Sequence, residues 1–458
     1  MTRIHLPPDE IRTLFSSAMS DMYRAEVPLY QDLLDLVADV NSDTLERDPA
    51  LKASLQESGE LDRLDVERHG AIRLGKAEEL FTIRRLFAVM GMQPVGYYDL
   101  SVAGIPVHST AFRPIGDEAL RKNPFRVFTS LLRLDLVDDA QLRRDAEAIL
   151  AKRDIFTPRV RALIDVCETH GGLTRTEAEE FVREALETFR WHKDSTVSAA
   201  TYQRLHDAHR LIADVVSFKG PHINHLTPRT LDIDAVQAGM PKRGITPKAV
   251  IEGPPRRDCT ILLRQTSFKA LEEAIDFIDE DNASSTGTHS ARFGEIEQRG
   301  VALTAKGRKL YDELLLSVRT AKAGDYNAEL AQRFKALPDD WAELRRQGLA
   351  YFRYRATPAG IADAGRLLAD VEALIAAGYL IAEPMIYEDF LPVSAAGIFQ
   401  SNLGGDTQQN FTESANRDAF EEALGAAVSD ELALYAASEQ ASLDAALAAL
   451  GQVKSAAE

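Results

Sequence analysis

The stretch RHGAIRLG, residues 68–75, sets the frame for this chain. Side chains on a strand alternate between two faces, so His69, Ala71 and Arg73 share one face while Ile72 and Leu74 point to the other. One such strand aims an imidazole and a guanidinium at the same cavity and keeps an apolar face for packing. KAEELFTIRRLFAVMGM (76–92) follows, with Leu80, Ile83, Phe87 and Met90 at helical spacing and Gly91 at a C-terminal stop. PVGYYDLSVAG (94–104), VHSTAFRP (107–114) and FRVFTSLLRLDLV (125–137) then read as three strands, rich in aromatic and β-branched residues and separated by Gly or Pro. The order is β-α-β-β-β.

Outward from this block the pattern turns helical on both sides. Helical periodicity opens the chain, and residues 138–218 carry it again in TEAEEFVREALETFRWH and ATYQRLHDAHRLIADVV, with no comparable strand run. A second strand set follows: PHINHLTPRTL, a short helical stretch near Ala235, CTILLRQTSF, a helix with Phe268, Leu271, Ile275 and Ile278 at helical spacing, and HSARFGEIEQRGVAL. This roughly repeats the first block. The expected fold is therefore α+β: two paired βαβββ-like modules forming a half-open β-barrel, surrounded by helical insertions. The expected segments are 1–137 (N-terminal helices and first module), 138–218 (helical insertion), 219–304 (second module) and 305–458 (helical region). In the last, KGRKLYDELLLSVRTAK and AGIADAGRLLADVEALIAAGYL read as helices, EDFLPVSAAGIFQSNLG as a loop suited to cover a cavity, and an alanine-rich helix as the tail.

Bulk composition fits a soluble intracellular enzyme. The 458 residues are 45% hydrophobic and 27% charged, enough for a sizeable core. Acidic residues outnumber basic ones by 71 to 53, a formal charge of −18 that repels phosphate backbones and argues against nucleic acid as a partner. Cys167 and Cys259 are the only cysteines, too few for a disulfide framework or a thiolate metal site, and a reducing compartment is the simplest reading. The opening MTRIHLPPDEIRTLF has prolines and an acidic pair where an export signal needs a basic stretch and then an unbroken apolar one. The longest apolar run, 373–382, lies between Glu372 and Glu383, far short of the roughly 20 residues a membrane helix needs. A cytoplasmic protein without membrane contact is expected, while the oligomeric state is not legible.

Candidate chemistry lies on the strands. Two imidazoles and one carboxylate on a rigid scaffold are the ligand set of mononuclear non-haem iron(II) sites, whose open positions take an oxidisable substrate and dioxygen. His69 is one candidate imidazole. His222 and His225 are three apart, but Pro221 and Pro228 favour an extended segment in which they point to opposite faces, so one of the two is expected to be a ligand. His206 and His209, three apart on a helix, have no carboxylate in a distinctive setting and read as a solvated face. Glu295 and Glu297 share a strand face, and either suits the carboxylate; otherwise they are exposed strand residues balanced by Arg292 and Arg299.

Resemblance narrows these choices. FGEIEQRG (293–300) is similar to the final metal-binding strand of 4-hydroxyphenylpyruvate dioxygenase, where the ligand glutamate precedes two residues and then Gln-Arg, which places the ligand at Glu295. HGAIRLG, FAVMGMQPVGYYDLSVAGIPVHSTAFRP, SFKGPHINHLTPR, LLRQTSFKALEE and ARFGEIEQRGVALTAKGRKLYD together resemble the bacterial 2-oxoadipate dioxygenase/decarboxylase family, also called 2-hydroxyglutarate synthase, of the vicinal-oxygen-chelate superfamily. The likeness spans roughly residues 60–400. It implies that His69, His225 and Glu295 bind Fe(2+), that His69, His225 and Arg73 meet the substrate, and that a backbone contact falls at Val393; loop N–H groups at Val393 and Ser394 suit the second carboxylate. It also implies conversion of 2-oxoadipate and O2 to 2-hydroxyglutarate and CO2, as lysine catabolism requires.

Chemistry agrees with that implication. A 2-oxo acid chelates iron through its keto oxygen and adjacent carboxylate, leaving a position for dioxygen. Oxidative loss of CO2 supplies the electrons that cleave dioxygen, so no separate reductant is needed. The substrate is dicarboxylic, and an arginine fork suits its carboxylate: Arg73 is the first candidate and Arg264 the second. Two alternatives stand beside this reading. One keeps the metal and changes the reaction to that of an extradiol dioxygenase, isomerase or lyase; the other is a zinc-binding sensor or interaction protein, which takes up no oxygen with any 2-oxo acid.

Overall fold

The structure is a computed structural model that describes residues 3–268, 272–278, 284–290, 292–319, 326–363, 370–391 and 410–451. The chain forms two compact units. The first comprises Met1–Glu252, Gln265–Gln298 and Phe390–Ser429, the second Gly253–Arg264, Arg299–Asp389 and Asp430–Glu458.

In the first unit, helices α1 (Pro8–Glu26), α2 (Tyr30–Arg47) and α3 (Pro49–Ser58) precede β1 (Arg68–Leu74). Then come α4 (Ala77–Val89), β2 (Met92–Asp99), β3 (Val107–Pro114), α5 (Asp117–Lys122) and β4 (Arg126–Leu132), the expected β-α-β-β-β order with one short extra helix. Five helices follow: α6 (Ala140–Ala151), α7 (Pro158–His170), α8 (Arg175–Phe189), α9 (Ala199–Ala208) and α10 (Arg210–Val216). The start of α8 is built from its sequence: Thr174 and Glu177 form a capping box, worth about 1 kcal/mol. The chain then returns as β5 (Leu226–Pro228) and α11 (Ile233–Gly239).

These strands make one five-stranded sheet, ordered β2-β3-β4-β1-β5. β1 runs parallel to β4, with His69 opposite Arg126, and antiparallel to β5, with His69 opposite Thr227. The β2–β3 register slips at Gly96, whose φ of +73° suits glycine in a bulge. The two faces of β1 separate as its alternation dictates. Ile72 and Leu74 join an apolar core with Phe15, Phe87, Phe112 and Phe189, whereas Ala71 joins a second cluster with Ala111, Phe128 and Phe218. Each fully buried phenylalanine contributes about 1.5–3 kcal/mol of transfer free energy. His69 and Arg73 project on the Ala71 side.

The second strand set departs from expectation. It consists of β6 (Leu263–Ser267), β7 (Glu273–Ile278), β8 (Ser284–His289) and β9 (Glu295–Arg299), paired as β6–β9 and β7–β8. Among the described residues no closed barrel forms. The helix expected through Phe268, Leu271, Ile275 and Ile278 does not form among the described residues: Phe268 bridges to Pro247 just after β6, Ile275 and Ile278 lie on strand β7, and Leu271 lies outside the described residues. Ile275 and Phe277 are buried while Ile278 is 56% exposed, so period two prevails over period three. Antiparallel pairing with β8 and backbone bonds from Asp276 N to Lys193 O and from Ser195 N to Asp276 O satisfy β7 on both sides.

In the second unit, β10 (Phe352–Ala356) and β11 (Leu380–Pro384) form an antiparallel hairpin against the helix Glu431–Ala449. Of the helix expected over 359–380, residues 364–369 lie outside the described residues; Pro358–Ala362 and Val371–Ala376 are short helices that end at Asp363 and start after Asp370, and Gly378, at φ +73°, turns the chain into β11. Cys167 and Cys259 are both free thiols. No helix among the described residues is long and apolar enough to cross a membrane.

Candidate metal and substrate site

The site grows out of the β1–β5 junction. β1 holds His69, and the segment before β5 runs close against it because residue 70 is glycine. A Cβ there would lie 2.4 Å from Ile223 Cδ1 and 2.8 Å from the His225 carbonyl. The Asn224 N–H donates to Ala71 O at 3.0 Å, which fixes His225 beside the His69 face. β9 brings Glu295, and the Phe293 N–H donates to Asn224 O at 3.1 Å. Tyr23 of α1 ties both approaches: its Oη lies 3.0 Å from Asn224 O and 2.8 Å from Phe293 O.

His69, His225 and Glu295 converge, each offering a ligand-type atom within 4.8 Å of the others. Glu295 Oε1 lies 3.2 Å from His69 Nε2 and 3.5 Å from His225 Nδ1, and it accepts from the Thr227 hydroxyl at 3.0 Å. All three side chains are buried. Burial pushes the His225 imidazole down to about 4, so this ring is neutral at neutral pH with a lone pair to give. Burial alone would lift the Glu295 carboxyl, but attraction to His225 and His69 prevails and holds it below the usual range.

Among the described residues, no arginine or lysine stands within ion-pair distance of Glu295: imidazoles and a hydroxyl are its near neighbours, and Lys248 acts on it only across a longer gap. Two nitrogens and one carboxylate oxygen in that setting fit a divalent transition metal. Glu297 occupies a different place from the exposed strand residue considered above: it is fully buried, its Oε1 is 3.1 Å from His69 Nδ1, and its Oε2 accepts from Arg126 Nη2 at 2.8 Å. His69 is thus held between two carboxylates. Burial lowers its affinity for a proton, yet Glu297 draws it back above the ordinary histidine value. Phe390 closes the face of the His69 ring at 4.9 Å and stacks on the Arg126 guanidinium at 4.5 Å.

Arg73 is partly exposed, its Nη1 donating to Asp214 Oδ2 at 2.7 Å. His222 turns away from Glu295 and joins Asp214, 3.3 Å from its Oδ1. His206 is exposed, and His209 caps α10 through Leu211 N, so this pair holds no ligand geometry. Arg264 belongs to the second unit, where Nε donates to Pro254 O at 3.1 Å. Val393 and Ser394 lie outside the described residues.

Against known proteins, residues 15–402 match the family model for 2-oxoadipate dioxygenase/decarboxylase. The chain belongs to that family. A 2-oxoadipate dioxygenase/decarboxylase of Pseudomonas putida is 61% identical over 453 residues, covering 97% of both chains. One from Escherichia coli is 59% identical over 437 residues, covering 95% of this chain and 97% of that one. Among solved structures, the Pseudomonas putida hydroxyglutarate synthase in complex with 2-oxoadipate superposes with a TM-score of 0.91 at 59% identity, over 98% of this chain and 100% of that one.

Within this 2-oxoadipate dioxygenase/decarboxylase family member, sequence reasoning passed over Tyr23, Thr227 and Asp214. Thr227 carries a local signal, since it lies two residues after His225 where the chain enters β5. Tyr23 and Asp214 carry none, because their contacts span 201 and 141 positions.

Proposed function

We propose that this chain is an iron(II)-dependent dioxygenase that converts 2-oxoadipate and O2 to 2-hydroxyglutarate and CO2. The observation that carries the metal assignment is the buried convergence of His69, His225 and Glu295, with no arginine or lysine at ion-pair distance of the carboxylate among the described residues. The parallel β1–β4 pair and its β-α-β-β-β connection support reading the first sheet as one module of a vicinal-oxygen-chelate half-open barrel, with β6 and β9 in the second.

The roles follow from position. His69, His225 and Glu295 hold iron(II), which when bound supplies the Lewis acid for a 2-oxo acid and the redox partner for dioxygen. Glu297, with Oε1 3.1 Å from Nδ1, braces the His69 ring from the side away from Glu295, as carboxylates beside ligand histidines do. Phe390 keeps water from the His69 face. Arg73, four residues from His69 on the same strand face, takes a substrate carboxylate with the planar fork that lysine lacks. Atoms and electrons balance without another reductant: oxidative decarboxylation of the 2-oxo acid gives two of the four electrons that O2 takes up, hydroxylation of the shortened acid gives the other two, and both oxygen atoms enter the products.

Oxygen uptake by anaerobically iron(II)-reconstituted protein, with 2-oxoadipate and with 2-oxoglutarate, tests the proposal. Uptake with 2-oxoadipate, matched by CO2 and 2-hydroxyglutarate, is the expected result. One iron bound per chain with no uptake would keep the metal site and overturn the reaction.

A further inference from the structure

The first unit contains a second group of two histidines and a carboxylate. Asp214 on α10, His222 before β5 and His289 at the end of β8 are all buried, with ligand-type atoms within 4.8 Å of one another. By composition it is a twin of the His69 group. Charge separates the two. Glu295 has no guanidinium or ammonium at ion-pair distance among the described residues, whereas Asp214 Oδ2 accepts from Arg73 Nη1 at 2.7 Å. Its Oδ1 accepts from His289 Nε2 at 2.9 Å and faces His222 Nε2 at 3.3 Å. A divalent ion on Oδ1 would share one small carboxylate with a guanidinium, so like charges would meet in a buried space.

The same contacts suit a different task. Burial alone would lift the Asp214 carboxyl, but His222 and Arg73 hold it well below the usual range, so it is an anion. His289 is fixed in turn: Tyr202 Oη lies 2.8 Å from its Nδ1, and the Trp191 ring lies parallel to it at 6.1 Å. With Nε2–H donated to Asp214, Nδ1 accepts from the tyrosine, which sets one tautomer. A chain of buried groups therefore ends on one nitrogen of a partly exposed arginine. Nη1 is taken up by Asp214, and the Nε and Nη2 edge of the fork makes no ion pair among the described residues.

We propose that Asp214, braced by His289 and Tyr202, is a positioning residue that fixes the Arg73 fork so that its Nε and Nη2 edge meets the substrate carboxylate. This rests on the reading of Arg73 as the carboxylate grip given above. A long arginine side chain loses much rotamer freedom when it binds, and an anion that holds it beforehand reduces that loss. Asp214 acts through Arg73 and touches no substrate itself.

A double-mutant cycle on the iron-loaded full chain tests this, with Arg73→Lys, Asp214→Asn and the pair, reading KM and kcat for 2-oxoadipate and metal content. Each single variant is expected to raise KM about tenfold or more, with a smaller change in kcat and one iron per chain retained. In the Arg73→Lys background, Asp214→Asn should then change KM less than about twofold, because the partner it serves is already altered. A merely structural role would not produce that non-additivity. If Asp214→Asn does not fold, Tyr202→Phe replaces it in the same cycle, with a smaller rise in KM and the same non-additivity expected. Independent, multiplicative effects overturn the inference, as does a second metal ion per chain that disappears in Asp214→Asn. A raised KM in Arg73→Lys with none in Asp214→Asn or Tyr202→Phe overturns it and leaves the Arg73 reading standing. No effect in Arg73→Lys removes that reading itself.

Discussion

Glu297 Oε1 stands 3.1 Å from His69 Nδ1, across the ring from Glu295, whose Oε1 is 3.2 Å from Nε2. One imidazole therefore has a candidate ligand partner on one side and a bracing carboxylate on the other. Glu297→Gln keeps the shape and removes the charge, and is expected to weaken iron(II) binding about 10–100-fold. Anaerobic competition titration reads the loss, and saturating iron should restore most of the turnover. An unchanged affinity would take Glu297 out of the metal's support.

The three converging side chains should behave otherwise. His69→Ala, His225→Ala and Glu295→Ala are each expected to lose stoichiometric iron and turnover, while Glu297→Ala still binds iron at higher concentration. Metal analysis after anaerobic reconstitution and desalting separates the two classes. Loss of iron in Glu297→Ala with retention in Glu295→Ala would move the ligand two residues along β9.

Gly70→Ala tests the close approach at the strand junction. A methyl group there would meet Ile223 and the His225 carbonyl at 2.4 and 2.8 Å, so the segment must shift. Overpacking of this kind costs about 1–3 kcal/mol, readable by denaturant unfolding. Iron affinity should fall as well, because the displaced segment carries His225. Full stability with full affinity would show that the junction gives way freely.

His108 links stability to acidity. Burial pushes its imidazole down to about 4, with Arg133 adding to the effect, and its ring packs on Phe420 at 4.7 Å. The unfolded chain protonates it near 6.5. Its contribution is therefore complete above that pH and is lost as the pH falls toward 4, with a slope of about 1.4 kcal/mol per pH unit in that window. His108→Gln should flatten the curve of unfolding free energy against pH between these values. An identical slope would mean that His108 takes up its proton in the folded state.

Much of the first sheet was legible because alternation in RHGAIRLG and helical spacing in the segment after it are local properties. The face holding His69, Ala71 and Arg73 is opposite the one holding Ile72 and Leu74, as period two requires. The second strand set was harder. Ile275 and Ile278 are three apart and mimic a helix, and only pairing with β8 and with residues 193–195 makes period two prevail. The β10–β11 hairpin escaped notice because an apolar run ending in GYL continues a helical pattern up to Gly378. For the site, the sequence offers residue types on strands, and the choice between Glu295 and Glu297 came from resemblance. Burial of both glutamates and the Arg126 contact to Glu297 depend on elements far apart in the chain.

The Tyr23 hydroxyl, shared between the carbonyls of Asn224 and Phe293, has a consequence for maturation. The residue after each carbonyl, or the next but one, is a proposed ligand, and the two strands that carry them are synthesised long after α1. The cradle therefore closes only when α1 meets partners more than 200 residues downstream. A misdocked first helix would thus leave the two proposed ligand segments unjoined, so damage to α1 should be felt at the cradle as well as in the core.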